Sequence, residues 1–299
     1  MNADDFGRSH GINRGVIEAF EQGIVTSTSL MVRWPAAREA AAYARENPEL
    51  SVGLHLDLFN WLFRDGVWWR EYEVVPAQDA SRVEAEVERQ ISIFRDLMGR
   101  NPTHLDSHHR AHRKQPVRSA LKAAAKRLGV QIRWDTLEIR HCGEFYGRTS
   151  MGQEIPEAVT VDNLTRLFTE MLPGITELSC HPGYVDDLQS VYEEERAREV
   201  RVLCDPGLRS FLLGEGIHLC SFKDIQGALP EEARTAYEQE DFARAQQLFE
   251  ISVAQHPHQP WSHLWLSRVQ AKRMALASAL NSVLQALRLA PNWPPAMLH

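Results

Sequence analysis

Short apolar, β-rich runs alternate with longer helical ones from residue 1 to about 225, and this alternation limits the fold more than any other feature of the chain. Repeated strand–helix units cover their strands on both faces, so they build a parallel sheet or barrel. The runs 27–32, 50–58, 103–108, 130–135, 175–181 and 217–222 read as strands. Between them, 13–22, 36–46, 80–98, 116–128, 161–171 and 193–203 carry apolar residues at three- and four-residue spacing and read as helices. The expectation is an α/β chain: a distorted βα, TIM-like barrel over residues 1–227. Residues 59–79, with Trp61, Trp68, Trp69 and Tyr72, and residues 136–160 lack periodicity and read as long loops. Aromatic side chains in such loops suit either stacking against a sugar or a small satellite core.

After Gly227 the strands stop, and residues 228–299 turn to Ala, Gln, Leu and Arg with helical spacing. Matches fall 34 residues apart: Ala233 with Ser267, Ala245 with Ala279, Phe249 with Val283, Pro257 with Pro291. Small residues at that period let two helices approach closely, and the pattern resembles the tetratricopeptide repeat. Two repeats leave apolar faces to cover, for which Trp261, Trp265 and Trp293 are the candidates, and predict docking on the barrel, on a partner protein or on a second copy.

A formal charge of −7 gives no global field to attract nucleic acid or anionic lipid. No basic segment precedes an apolar stretch at the start and no run approaches eighteen apolar residues, so the chain reads as cytoplasmic. Cys142, Cys180, Cys204 and Cys220 are scattered without the short spacing of a redox or zinc motif.

Thirteen histidines are many for this length, and His104, His108, His109 and His112 crowd into nine residues. Strand alternation over 103–108 sends His104, Asp106 and His108 to one face and Leu105, Ser107 and His109 to the other. The first face is too polar for a dry core unless its groups share a partner, and a divalent ion accepts imidazole nitrogen and carboxylate oxygen together. Gly53-Leu54-His55 and the Asp4-Asp5 pair also stand where strands meet loops, on the rim at which βα barrels assemble active sites. In an adjacent acidic pair, one carboxylate can bind metal while the other takes a proton from the metal-bound water; alternatively one of them caps the next helix.

Asn2-Ala3-Asp4-Asp5-Phe6-Gly7, then VTSTSLMV, VGLHL, THLDSHH with His112, and SCHPGY follow one another in an order that resembles the YdjC-like carbohydrate deacetylases, the chitooligosaccharide deacetylases among them. The resemblance spans roughly residues 2–225 and implies a distorted βα barrel that uses one divalent ion, zinc or magnesium, to hydrolyse an acetamide on an N-acetylated amino sugar. It implies Asp5, His55 and His108 as metal ligands and Asp4 as general base. His181, at the end of a late strand, is a candidate proton donor to the leaving amine, and Arg133 either holds Asp4 ionised or polarises the acetyl oxygen. Family members carry an apolar strand ahead of NADDFG, whereas Met1 directly precedes Asn2 here. The expectation is therefore a first strand missing or reduced to a stub, with an open sheet edge, as a start codon assigned too late would produce. The alternative function is a catalytically weak barrel that serves its repeat module as a protein-interaction unit. Phosphoester hydrolysis is disfavoured because no Gly-rich phosphate loop is present.

Overall fold

The computed structural model describes residues 1–64, 66–135, 139–172, 174–185, 187–188, 190–228 and 230–289. The chain divides into two compact units, Met1–Met171 with Thr176–Ser221, and Leu172–Ile175 with the residues from Phe222 onward. The first unit runs β1 (Asn2–Phe6), α1 (His10–Glu21), β2 (Ser27–Leu30), α2 (Ala37–Glu46), β3 (Ser51–Leu56), β4 (Phe59–Arg64), β5 (Val67–Glu73), α3 (Ala80–Met98) and β6 (His104–Ser107). After a 3-10 segment, His108–Arg113, come α4 (Val117–Leu128), β7 (Gln131–Ile132), β8 (Ile139–Cys142), α5 (Val161–Glu170), β9 (Ile175–Cys180), α6 (Glu194–Leu203) and α7 (Pro206–Gly214).

Seven strands form one sheet in the order β7-β6-β3-β2-β1-β9-β8, parallel at every pairing from β7 through to β9. The sheet has two ends, so the expected barrel is realised as an open, curled sheet. The curl follows from one contact. Arg133 comes just after β7, yet its guanidinium pairs with Glu177 of β9, five places along the sheet. In a flat sheet that offset is about 24 Å at ~4.8 Å per strand, far beyond an arginine side chain.

The first strand is present. β1 is built from Asn2–Phe6 themselves and pairs with β2 on one side and β9 on the other, so no edge opens there. Three other expectations change as well. Residues 217–222 find no partner strand and lead into a helix that starts at Phe222. The strand at 130–135 shrinks to Gln131–Ile132. Residues 59–79 are not a loop: β4 and β5 form an antiparallel hairpin, unreadable as alternation because aromatics occur on both faces. In the second apparent loop, β8 and a 3-10 turn at Pro156–Ala158 appear; residues 136–138 lie outside the described residues.

Strands buried on both faces pack against helices whose apolar stripes face them, with Ala3, Leu30, Val52, Leu54 and Leu105 wholly inside. Gly53 marks a close approach: a Cβ there would stand 2.4 Å from the His104 imidazole. That ring is held by Ser29 Oγ at 3.1 Å and Thr103 Oγ1 at 3.0 Å and cannot retreat freely. We therefore expect Gly53→Ala to cost about 1–3 kcal/mol through overpacking, read as a lower thermal midpoint. An unchanged midpoint would mean that the ring gives way.

The second unit continues as α8 (Phe222–Ala228), α9 (Glu231–Glu238), α10 (Phe242–Gln255), α11 (Pro260–Lys272) and α12 (Leu276–Leu289), each of α9 to α12 packed on its neighbour in sequence. Small residues line the crossings: Ala233, Ala245 and Ser267 are buried. Trp261 and Trp265 are buried too, Trp265 stacked on Phe249; Trp293 lies outside the described residues. The four cysteines form no disulfide. Among the described residues, no helix is long and apolar enough to cross a membrane.

Candidate active site

Asp4 and Asp5 come from β1, His55 from β3, Asp106 from β6, and Arg133 and His181 from the first residues after β7 and β9. All stand at the carboxyl ends of parallel strands, where βα folds place their chemistry. Neighbouring residues on a strand ordinarily point to opposite faces. Here the β1–β2 register shifts between Ala3 and Phe6, and Asp5 takes a left-handed backbone, φ +67°. This irregularity turns both carboxylates into one site, at a conformational cost typical of functional positions.

Asp5, His55 and His108 offer ligand atoms that lie within 4.8 Å of one another. Their hydrogen bonds leave the inward-facing atoms as acceptors. His55 Nδ1 donates to Asp106 Oδ1 at 2.8 Å, which directs Nε2 toward Asp5 Oδ1 at 3.6 Å. His108 Nε2 donates to Asn60 Oδ1 at 2.9 Å, which directs Nδ1 toward the same oxygen at 3.1 Å. The Asn60 amide is oriented by its Nδ2, which donates to Glu71 Oε2 at 2.6 Å; Arg8 Nη1 approaches His108 Nε2 only to 3.4 Å. Asp5 Oδ1 is buried without a hydrogen-bond partner. Two imidazole nitrogens and an unpartnered carboxylate oxygen, with their outer atoms already engaged, form a donor set that fits a divalent ion.

The electrostatics agree with that fit. Burial opposes charge on Asp5, but Arg196, which donates to Oδ2 at 2.5 Å, and His108 hold its carboxyl well below the usual range. Burial, with His109 alongside, keeps His108 neutral. Burial would also depress His55, yet Asp106, Asp4 and Asp5 outweigh it and push the imidazole up to about 9. The spot calls for positive charge, which a proton or a cation supplies. A second candidate set, Asp4, His55 and Asp106, overlaps the first. Its carboxylates are spoken for: Arg133 pairs with Asp4 Oδ1 at 2.7 Å and, more closely, with Asp106 Oδ2.

Arg133 is wholly buried. Besides Asp4 and Asp106 it binds Glu177 Oε1 at 2.5 Å and Ser179 Oγ at 2.8 Å. Its carbonyl accepts from His112 Nε2 at 3.2 Å, and Ser107 Oγ meets His112 Nδ1 at 2.7 Å. Asp4 thus has Oδ1 occupied by Arg133 and by Asn2 Nδ2 at 2.9 Å, while Oδ2 faces His181 Nε2 at 3.7 Å. Burial pushes His181 down to about 4 despite Asp4 and Asp5 nearby, and its Nδ1 has no partner.

Not every sequence-based placement survives. The strand ends at Ser107, and His109 and Arg110 adopt left-handed backbone, so His108 and His109 both turn toward Asn60 rather than to opposite faces. His104 faces inward but serves Ser29 and Thr103 instead of the ligand set. The sequence reading missed Arg8, Asn60, Arg196 and Glu199. Asn60 sits in the segment taken for a loop, and Arg196 and Glu199 belong to a helix so charged that it reads as a solvated surface.

A family model described as YdjC-like protein matches residues 1–213. A chitooligosaccharide deacetylase of Serratia marcescens is 34% identical over 249 residues, which cover 75% of this chain and 98% of the relative. A carbohydrate deacetylase of Geobacillus stearothermophilus is 32% identical over 247 residues, 75% of this chain and 96% of that one. Among solved structures, a protein of Enterococcus faecalis V583 assigned to cellobiose-phosphate cleavage superposes with a TM-score of 0.61 at 25% identity, covering 75% of this chain and 97% of the other. The chain belongs to the YdjC-like family, to which these carbohydrate deacetylases are its relatives.

Proposed function

We propose that this carbohydrate deacetylase removes the acetyl group from an N-acetylated amino sugar or its oligosaccharide with the help of one divalent ion held by Asp5, His55 and His108. The observation that carries the reading is the buried, unpartnered Asp5 Oδ1 facing two imidazole nitrogens whose other ring atoms are tied to Asp106 and Asn60. When bound, the ion supplies Lewis acidity toward water and the acetyl oxygen. Both zinc and magnesium are compatible with the donor set, zinc the more so for its two nitrogens.

Asp4 is the general base. Arg133 and Asn2 hold its Oδ1 by hydrogen bonds and fix the carboxyl plane, leaving Oδ2 to take the proton of the attacking water. As the C–N bond breaks, His181 Nε2, 3.7 Å from that oxygen, passes a proton to the leaving amine. Its low pKa means the proton is acquired during the reaction rather than carried at rest. Arg133 has its donors committed to carboxylates and a serine, which favours the Asp4-holding role over contact with the acetyl oxygen. The products are acetate and the free amino sugar. Acetate release measured over N-acetylated mono- and oligosaccharides with defined divalent ions tests the proposal. Release from none of them at any metal loading refutes it.

The β4–β5 hairpin starts at the site, where Asn60 meets His108, and is anchored by Tyr72, which donates to Asp57 at 2.8 Å. It then carries Trp68 and Trp69 outward, 41% and 62% exposed. We assign the exposed indole of Trp69 to stacking against a sugar beyond the one deacetylated. Trp69→Ala is expected to raise KM about tenfold for oligosaccharides, on the order of the 1–1.5 kcal/mol of one aromatic contact, and to leave a monosaccharide substrate unaffected. An equal effect on both substrates removes that role.

Helices α9 to α12 are proposed as a tetratricopeptide-like module for a protein partner or self-association, supported by the small residues at the helix crossings. All the residues given a chemical role precede position 182. Removal of the chain from Phe222 onward should leave acetate release from a small substrate unchanged in folded protein; loss of release would make the helices part of the catalytic unit.

A further inference from the structure

Helix α6 buries three charged side chains, Glu195, Arg196 and Glu199, on one face. Buried charges are rare unless each has a dedicated partner, and here Arg196 and Glu199 find partners in the active site. Arg196 Nη1 donates to the His181 carbonyl at 3.1 Å, and its Nη2 to Asp5 Oδ2 at 2.5 Å. One turn further on, Glu199 Oε2 accepts the backbone N–H of the same His181 in a short contact. Both peptide groups of one residue are therefore gripped by two side chains of one helix. Glu199 Oε1 in turn accepts from the Tyr192 hydroxyl at 2.5 Å, and that hydroxyl accepts the Gly147 N–H at 2.9 Å. Glu195 extends the grip, with Oε1 accepting from Arg148 Nε at 2.6 Å. The segment that Gly147 and Arg148 tie down presents Tyr146, stacked on Tyr192 at 4.6 Å, and both rings meet the His181 imidazole edge-on at 5.3 and 5.8 Å.

We propose that Glu199, acting with Tyr192, is a positioning residue for the active-site histidine: it fixes the His181 backbone so that the ring stands between the Tyr146–Tyr192 pair and the Asp4 carboxylate. The inference rests on the deacetylase reading above for the role of His181, but not for the geometry. A proton carrier must stay aligned with both its source and its recipient, and a rotating peptide at position 181 would swing Nε2 away from Asp4 Oδ2. Glu199 and Tyr192 are buried away from any bound sugar, so the effect is expected in turnover rather than in binding. Burial pushes Glu199 up to about 8, so the neutral amide, whose one oxygen can still accept the His181 N–H, is the conservative replacement.

The test compares Glu199→Ala, Glu199→Gln and, should the alanine variant fail to fold, Tyr192→Phe. Glu199→Ala is expected to lose at least tenfold in kcat with KM within about twofold and metal content unchanged; Glu199→Gln should stay within about threefold of wild type. Tyr192→Phe should lose about fivefold in kcat with the same unchanged KM. Labelled-histidine NMR supplies a readout that does not require turnover. The His181 ring should titrate near 4 in wild type and Glu199→Gln, where burial holds it down, and shift toward its ordinary value in Glu199→Ala. Wild-type kcat in the alanine variant, parallel loss of metal and KM in every variant, or a His181 titration that none of them moves would each overturn the proposal. If wild type releases no acetate from any acetylated sugar while the His181 titration moves as stated, the deacetylase reading fails and the positioning role stands.

Discussion

Asp4→Asn is expected to match wild type in divalent-ion content and, if Asp4 is the base proposed above, to lose about 10²–10⁴-fold in kcat, the range a positioned base contributes. The amide matches the carboxylate in shape, and its carbonyl can still accept from Arg133 Nη1 and Asn2 Nδ2, which now bind Oδ1 at 2.7 and 2.9 Å. What disappears is the proposed proton acceptor at Oδ2. Because Asp4 lies outside the favoured ligand set, elemental analysis should return the wild-type metal content and separate chemistry from binding. A variant with more than about a tenth of wild-type turnover would hand the role to another carboxylate, of which Asp106 is the nearest candidate, bound as it is to His55 and Arg133.

Arg133→Met should be the most destabilising single change in the site, about 3–5 kcal/mol, because it strips the cation from three buried carboxylates at once. Asp4, Asp106 and Glu177 converge on one guanidinium, so the loss is of a hub rather than of one pair. The pH dependence should invert. In wild type, burial opposes ionisation of Asp106 and Glu177, but His55 and Arg133 for the first, and Arg133 with His141 for the second, hold both below their ordinary values. Their stabilisation is present above the unfolded pKa and lost as pH falls. Without Arg133 only His141 is left to oppose the burial of Glu177, so its folded-state pKa is expected to rise above the unfolded value and the variant to lose stability as pH climbs from 5 to 8. Denaturant midpoints across that range check the sign; a variant whose stability rises with pH would mean that other groups neutralise the cluster.

Much of this was legible in the residues. The alternation of strands and helices gives the parallel sheet, and Asp5, His55 and His108, far apart in sequence, do meet. The remainder depended on features that periodicity does not carry. The β1 irregularity that turns Asp4 and Asp5 the same way is a matter of φ at one residue. Asn60 sets the His108 tautomer from inside a hairpin whose consecutive aromatics hide its period. Arg133 reads as a single cation on a strand, and only the curl of the sheet brings Glu177 to it. In α6, Glu194-Glu195-Arg196 looks like a solvated helix start, although Glu195, Arg196 and Glu199 are buried against the site. The expectation of an apolar strand ahead of the motif fails because Asn2–Phe6 are themselves the strand.

The proposed chemistry turns on where one divalent ion binds. Crystals of the intact chain soaked in zinc, measured on either side of the zinc absorption edge, should give one strong anomalous peak per chain within coordination distance, about 2.0–2.2 Å, of Asp5 Oδ1, His55 Nε2 and His108 Nδ1, and none in His108→Ala. A peak instead between Asp4, His55 and Asp106, or a peak that persists unchanged in His108→Ala, would contradict the assignment of ligands and base.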